Sequence, residues 1–101
     1  MSDIKVQIPQ RELARFCQKH HIRKLAFFGS VLRDDFRPDS DVNVLVEFEP
    51  GKTPGFAFIT MQDELSEILG GRQVDLVTPK FLNHRIRERV EKEARVAYVQ
   101  R

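Results

Sequence analysis

The order of elements legible in this chain is helix, strand, strand, helix, strand, helix. It predicts an α+β fold with a short mixed sheet and helices packed on one of its faces. Three observations carry that expectation. Two apolar strand patterns follow one another with only a polar loop between them, unlike the alternation of strands and helices in a doubly wound sheet. The second of these, residues 41–49, alternates apolar and polar side chains along its length. Helical apolar spacing returns on either side of the strands, punctuated by glycine or proline.

Taken in order, Pro9 followed by Leu13, Phe16, Cys17 and His20 at three-and-four spacing marks a first amphipathic helix, with proline near its opening turn. Leu25 to Phe28 is a short apolar run stopped by Gly29 and reads as a buried strand. Residues 33–40 form a loop rich in Arg, Asp, Pro and Ser. On the second strand Val42, Val44, Val46 and Phe48 face the core. Asp41, Asn43, Leu45, Glu47 and Glu49 take the other, mostly polar face. Pro50-Gly51-Lys52-Thr53-Pro54-Gly55 is the strongest loop signal in the chain.

Phe58, Met61, Leu65, Ile68 and Leu69 form a helical stripe that Gly70-Gly71 brings to a stop. Gln73 to Val77 reads as a third strand ended by Thr78-Pro79. Leu82, Ile86 and Val90 define a last helix. Val96 to Val99 fits a short terminal strand or a frayed helix, and the residues leave both open.

At 101 residues the chain has room for one domain, residues 1–101, burying roughly 60–70% of its unfolded surface. A net charge of +2 is too balanced to argue for direct nucleic-acid binding. The single cysteine, Cys17, cannot form an intrachain disulfide and is read as a small core residue. No apolar run reaches the ~18–20 residues of a membrane span, and Met1 to Lys5 carries no signal-peptide pattern. A cytoplasmic protein is the expectation.

The chemistry concentrates in two places. Gly29-Ser30 closes the first strand with a turn free of side-chain crowding and with a hydroxyl beside it, suited to a triphosphate. After ten residues come Asp41 and Asn43, two apart on one strand face, about 6.5–7 Å between Cα atoms. If Val74 and Leu76 face the core, Asp75 joins that polar face. Oxygen ligands grouped in this way suit Mg²⁺, which binds through a few carboxylates and substrate phosphates. Two such ions would activate an attacking oxygen and steady a leaving pyrophosphate.

Gly29-Ser30, ten residues, Asp41-x-Asn43, then Asp75 within Gln73-Val74-Asp75-Leu76-Val77, resembles the pattern of the DNA polymerase β superfamily of nucleotidyltransferases. Arg33 and Ser40-Asp41 also stand where that family carries Arg and Ser-Asp. In size the chain is most similar to the minimal nucleotidyltransferase antitoxins paired with HEPN-domain ribonuclease toxins. The resemblance implies a polymerase β-like fold and ATP with two Mg²⁺ ions as substrate and cofactor. It also implies transfer of AMP to a tyrosine of the toxin in a hetero-oligomer. It gives Asp41 and residue 43 both ions, Asp75 the ion that activates the nucleophile, and Ser30 the triphosphate, with Gly29, Arg33 and Ser40 as further binding residues.

The departure is Asn43. The family carries a carboxylate there, and an amide oxygen is neutral and single, its NH₂ being no ligand. Weak or absent activity is therefore expected, whether the residue is natural or engineered. Two other readings follow: a silent antitoxin that neutralises by binding alone, and a nucleotidyltransferase acting on RNA or a small molecule. Gly51-Lys52-Thr53 is not a phosphate loop, because it lacks the earlier glycine at Val46.

Overall fold

A computed structural model describes residues 4–100. Met1 to Asp3, part of the amino terminus read above as free of a signal-peptide pattern, lie outside the described residues. The helices are α1 (Gln10–Lys19), α2 (Ala57–Ile68) and α3 (His84–Glu93). The strands are β1 (Ile22–Phe28), β2 (Val42–Phe48), β3 (Val74–Val77) and β4 (Arg95–Val99), with 3-10 turns at Gly29–Leu32 and Pro79–Phe81.

The sheet order is β3-β2-β1-β4. β1 runs antiparallel to β2 and to β4, whereas β2 and β3 are parallel. Connection chemistry explains the mixture. A loop between β1 and β2 lets the chain turn back on itself, while α2 carries it over the sheet so that β3 starts at the same end as β2. Among the described residues no helix is long and apolar enough to cross a membrane.

Local signals set the helix ends. Pro9 stands at the start of α1, and its carbonyl accepts from the Leu13 amide at 2.9 Å. The Asn83 Oδ1 accepts from the Ile86 amide at 3.0 Å and so caps α3. Beyond α2, Gly71 takes φ +87° and its amide donates to the Ser66 carbonyl, the left-handed stop expected of a glycine pair.

Leu13, Phe16 and Cys17 of α1 and Met61 and Leu65 of α2 pack with Leu25, Phe27, Val44 and Val46 into one core cluster. Glu64 ties the two helices together, accepting from Lys19 Nζ at 3.2 Å and lying 3.0 Å from His20 Nε2.

Four expectations need adjustment. β1 begins at Ile22 rather than Leu25. Exposed Arg23 breaks the apolar run but belongs to the strand, and it reaches across to Glu47 at 2.9 Å. The face opposite the core is less polar than its alternation suggests. Leu45 is only 3% exposed there, its register partner Ala26 is also buried, and both stand outside the main cluster together with Val90. Of the stripe assigned to the last helix, Leu82 precedes α3 and Ile86 is 48% exposed, leaving Val90 as the buried member. Residues 96–99, open on sequence grounds, belong to β4. Pairing with β1, a tertiary contact, makes that choice.

Candidate active site

Two strand registers bring the site together. Phe28 of β1 pairs with Asn43 of β2, and Asn43 pairs in turn with Asp75 of β3. These residues form one row across the sheet, each about 4.8 Å from the next in the direction of the hydrogen bonds. Buried neighbours hold the acidic end in orientation. Val74 and Leu76 are buried on either side of exposed Asp75, and Val42 is buried between exposed Asp41 and half-buried Asn43. Asp41 stands one residue before β2. The Val42 amide donates to the Gln73 carbonyl at 2.8 Å, and the Leu76 amide donates to Gln62 Oε1 at 3.0 Å, locking β3 to β2 on one edge and to α2 on the other.

Gly29 turns directly against this row. Its φ is +79°, a region closed to most side chains, and a Cβ added there would lie 2.6 Å from Asn43 Nδ2. The nearest atoms of Asn43 to that point are Nδ2, Cγ and Cβ, so its Oδ1 is the amide atom directed away from the turn. Glycine here satisfies both the backbone conformation and the close approach of two strands.

Ser30 follows within the 3-10 turn, whose carbonyl at Ser30 accepts from the Arg33 amide at 2.9 Å. Ser40 has a structural task as well. Its Oγ accepts from the Arg37 amide at 3.1 Å and its own amide donates back to the Arg37 carbonyl at 3.0 Å, closing the loop just before Asp41. Arg33 is exposed and lines a cleft of about 370 Å³ with Gly29, Leu32, Lys92, Glu93 and Arg95. Lys92 and Arg95 had no signal in the sequence, because only the pairing of β4 with β1 brings the end of α3 to the Gly29 turn. A larger cleft of about 810 Å³, between Lys5–Pro9 and the end of α2, contains none of these residues.

The donor chemistry bears on metal binding. Among the described residues no group of three His, Cys, Asp or Glu side chains is arranged to hold an ion. Asp41 and Asp75 offer carboxylate oxygens and Asn43 one amide oxygen, donors of the type that one Mg²⁺ takes together with water and substrate phosphate. They fit a bridged pair of ions poorly, since the central position offers a single neutral oxygen.

Carboxylate and amide oxygens beside a glycine turn are the donor types that nucleotidyl transfer uses. Over residues 11–97 the chain matches the nucleotidyltransferase domain family, and it belongs to that family.

Its relatives narrow the comparison. The chain is 37% identical over 83 residues to the protein adenylyltransferase MntA of Thermococcus cleftensis, covering 81% of this chain and 79% of that one. It is 31% identical over 85 residues to a Methanocaldococcus jannaschii protein provisionally named a protein adenylyltransferase, covering 84% of this chain and 89% of the relative. A solved structure provisionally described as a minimal nucleotidyltransferase superposes with a TM-score of 0.70 at 36% identity, over 85% of this chain and 86% of the other. A toxin–antitoxin crystal structure with AMP-PNP matches with a TM-score of 0.73, over 93% of this chain and 76% of that one. At 14% identity this likeness shows the fold alone.

Proposed function

We propose that this chain is an antitoxin that transfers AMP from ATP to a tyrosine of a partner protein, a HEPN-type ribonuclease toxin, at a rate lowered by Asn43. The observation that carries the reading is the row of Asn43 and Asp75 beside the Gly29 turn. The names of its relatives support the class of acceptor. The partner completes the site, since the acidic row is exposed at Asp41 and Asp75.

In the reaction the tyrosine oxygen bonds to the α-phosphorus. The bond from that phosphorus to the bridging oxygen of the β-phosphate breaks, and pyrophosphate leaves with the bonding pair. Asp75 accepts the hydroxyl proton, which then passes to water. Asp41 and the Asn43 Oδ1 are the residues that would hold a Mg²⁺ ion, and the Gly29-Ser30 turn receives the β- and γ-phosphates. A bound Mg²⁺ would neutralise phosphate charge and acidify the attacking hydroxyl.

The test is incubation of the chain with labelled ATP, Mg²⁺ and the product of the neighbouring gene. Label on the partner that disappears with Asp41→Ala is the expected result. No transfer from either the present chain or Asn43→Asp would overturn the proposal.

Asn43 also favours a second reading, in which the chain silences a toxin by binding alone. That reading requires a co-purifying complex and protection from toxicity that survives Asp41→Ala and Asp75→Ala. Protection that depends on those carboxylates refutes it.

A further inference from the structure

β3, the strand that carries Asp75, is four residues long and forms one edge of the sheet. β2 pairs with only one side of it. There the Val42 amide donates to the Gln73 carbonyl at 2.8 Å, and Asn43 is the register partner of Asp75. Successive residues of a strand turn their backbone groups to opposite sides, so those of residues 72, 74 and 76 face outward. An edge strand left in that state presents unpaired N–H and C=O groups.

α2 meets this outer side at two points. Ser66 Oγ donates to the Arg72 carbonyl, and Gln62 Oε1 accepts from the Leu76 amide at 3.0 Å. Residues 62 and 66 are one helical turn apart and share a face of α2. Met61 and Leu65, both fully buried, seat that helix in the core. The two bonds therefore grip β3 at residues 72 and 76, on either side of Asp75. Asp75 is exposed, so its place is set by the backbone that carries it. Arg72 extends the contact toward Asp41: its guanidinium lies over the Phe36 ring, 5.1 Å from the centroid, in the loop that leads to that residue.

We infer that Gln62 and Ser66 are positioning residues for Asp75. They fix the backbone of β3 against α2, so that the carboxylate meets the acceptor hydroxyl, and they act on the rate of transfer rather than on nucleotide binding. The inference rests on the nucleotidyl-transfer reading above and adds to it two side chains of a helix that the sequence pattern marked only for its apolar stripe.

The experiment measures steady-state label transfer from ATP to the product of the neighbouring gene, with the present chain and with Asn43→Asp as parents. In each parent Gln62→Met removes the accepting oxygen at nearly the same length, Gln62→Glu keeps an oxygen there, and Ser66→Ala removes the second bond independently. Glu64→Gln is the control for stability, because it weakens the α1–α2 clasp from the same helix without touching β3. Misplacing a reacting group by an ångström costs up to about 100-fold, so Gln62→Met and Ser66→Ala should each lower kcat about 10-fold or more. KM for ATP should stay within about 2-fold, since the lost interaction is felt only in the transition state. Gln62→Glu and Glu64→Gln should keep the kcat of the parent. Amide hydrogen exchange reads the grip directly: the Leu76 amide should lose protection in Gln62→Met and retain it in Gln62→Glu. Unchanged kcat in both Gln62→Met and Ser66→Ala overturns the positioning role while leaving nucleotidyl transfer standing. An equal fall in Glu64→Gln also overturns it, because kcat would then follow stability alone. No transfer by either parent overturns the nucleotidyl-transfer reading and the inference with it.

Discussion

A Cβ on Gly29 would sit 2.6 Å from Asn43 Nδ2, so the turn that ends β1 and the central residue of the acidic row are packed against each other. Their closeness couples the two halves of the site. Asn43 is in turn the register partner of Asp75, so the turn, residue 43 and Asp75 are contiguous across the sheet.

Gly29→Ala should therefore cost both stability and binding. The positive φ alone costs about 1–2 kcal/mol for a residue with a Cβ, and relief of the overlap must displace the Asn43 amide. Urea denaturation should show a loss of at least that size, and ATP affinity should fall with it. A variant as stable as the wild type would mean that the turn is free to relax.

Asn43→Asp should raise label transfer by about 10–100-fold, the scale on which metal sites respond to changed ligand surroundings. The same change sets two carboxylates opposite one another in the β2–β3 ladder, at a cost of about 0.2–1 kcal/mol when no cation is present. Thermal melting should accordingly show the variant below the wild type in EDTA and a larger rise in its melting temperature on addition of Mg²⁺. Equal responses to Mg²⁺ would argue against an ion at this position.

The α1–α2 clasp carries a pH signature. Partial burial works to raise the Glu64 carboxyl, but the hydrogen bonds and charges of His20 and Lys19 outweigh it and hold its pKa below the ordinary 4.5. A depressed carboxylate stabilises the fold above its unfolded pKa and loses that contribution as pH falls through the folded value. Glu64→Gln should thus lower stability by up to about 1 kcal/mol at pH 7, as partly exposed pairs do. The gap to the wild type should narrow as pH drops below about 4.5, measured by denaturant titration at each pH.

Cys17 should behave as a reporter of unfolding. Burial pushes its thiol from 9.0 up to about 12, so the native thiol stays protonated and shielded at pH 8. A thiol reagent should react with the native protein no faster than the protein opens, and rapidly to full stoichiometry in denaturant. Above pH 9 the unfolded chain ionises while the folded one does not, so stability should decline between 9.0 and about 12. Rapid labelling of the native protein at pH 8 would contradict this.

Much of the site was legible along the chain because its parts are local. Gly29-Ser30 announces a turn by composition, and Asp41 and Asn43 share a face by the two-residue period of a strand. Asp75 could be added because buried Val74 and Leu76 flank it. The stretches that misled did so for a common reason. Arg23 and Lys24 interrupt an apolar run yet sit in β1, since a strand with one wet face tolerates charge there. Leu45 looked like an oddity on a polar face until its pairing with buried Ala26 showed a second apolar patch.

The sequence by itself determined the types of the three helices and the first three strands, the α+β class, the glycine turn and the spacing of Asp41, Asn43 and Asp75, because period and turn chemistry act over a few residues. Tertiary structure alone decided that Phe28, Asn43 and Asp75 share one row, that residues 95–99 are a strand, and that Lys92 and Arg95 reach the Gly29 turn. Each of these depends on hydrogen-bond register between segments far apart in the chain, and register is set by how buried faces pack together rather than by any local preference.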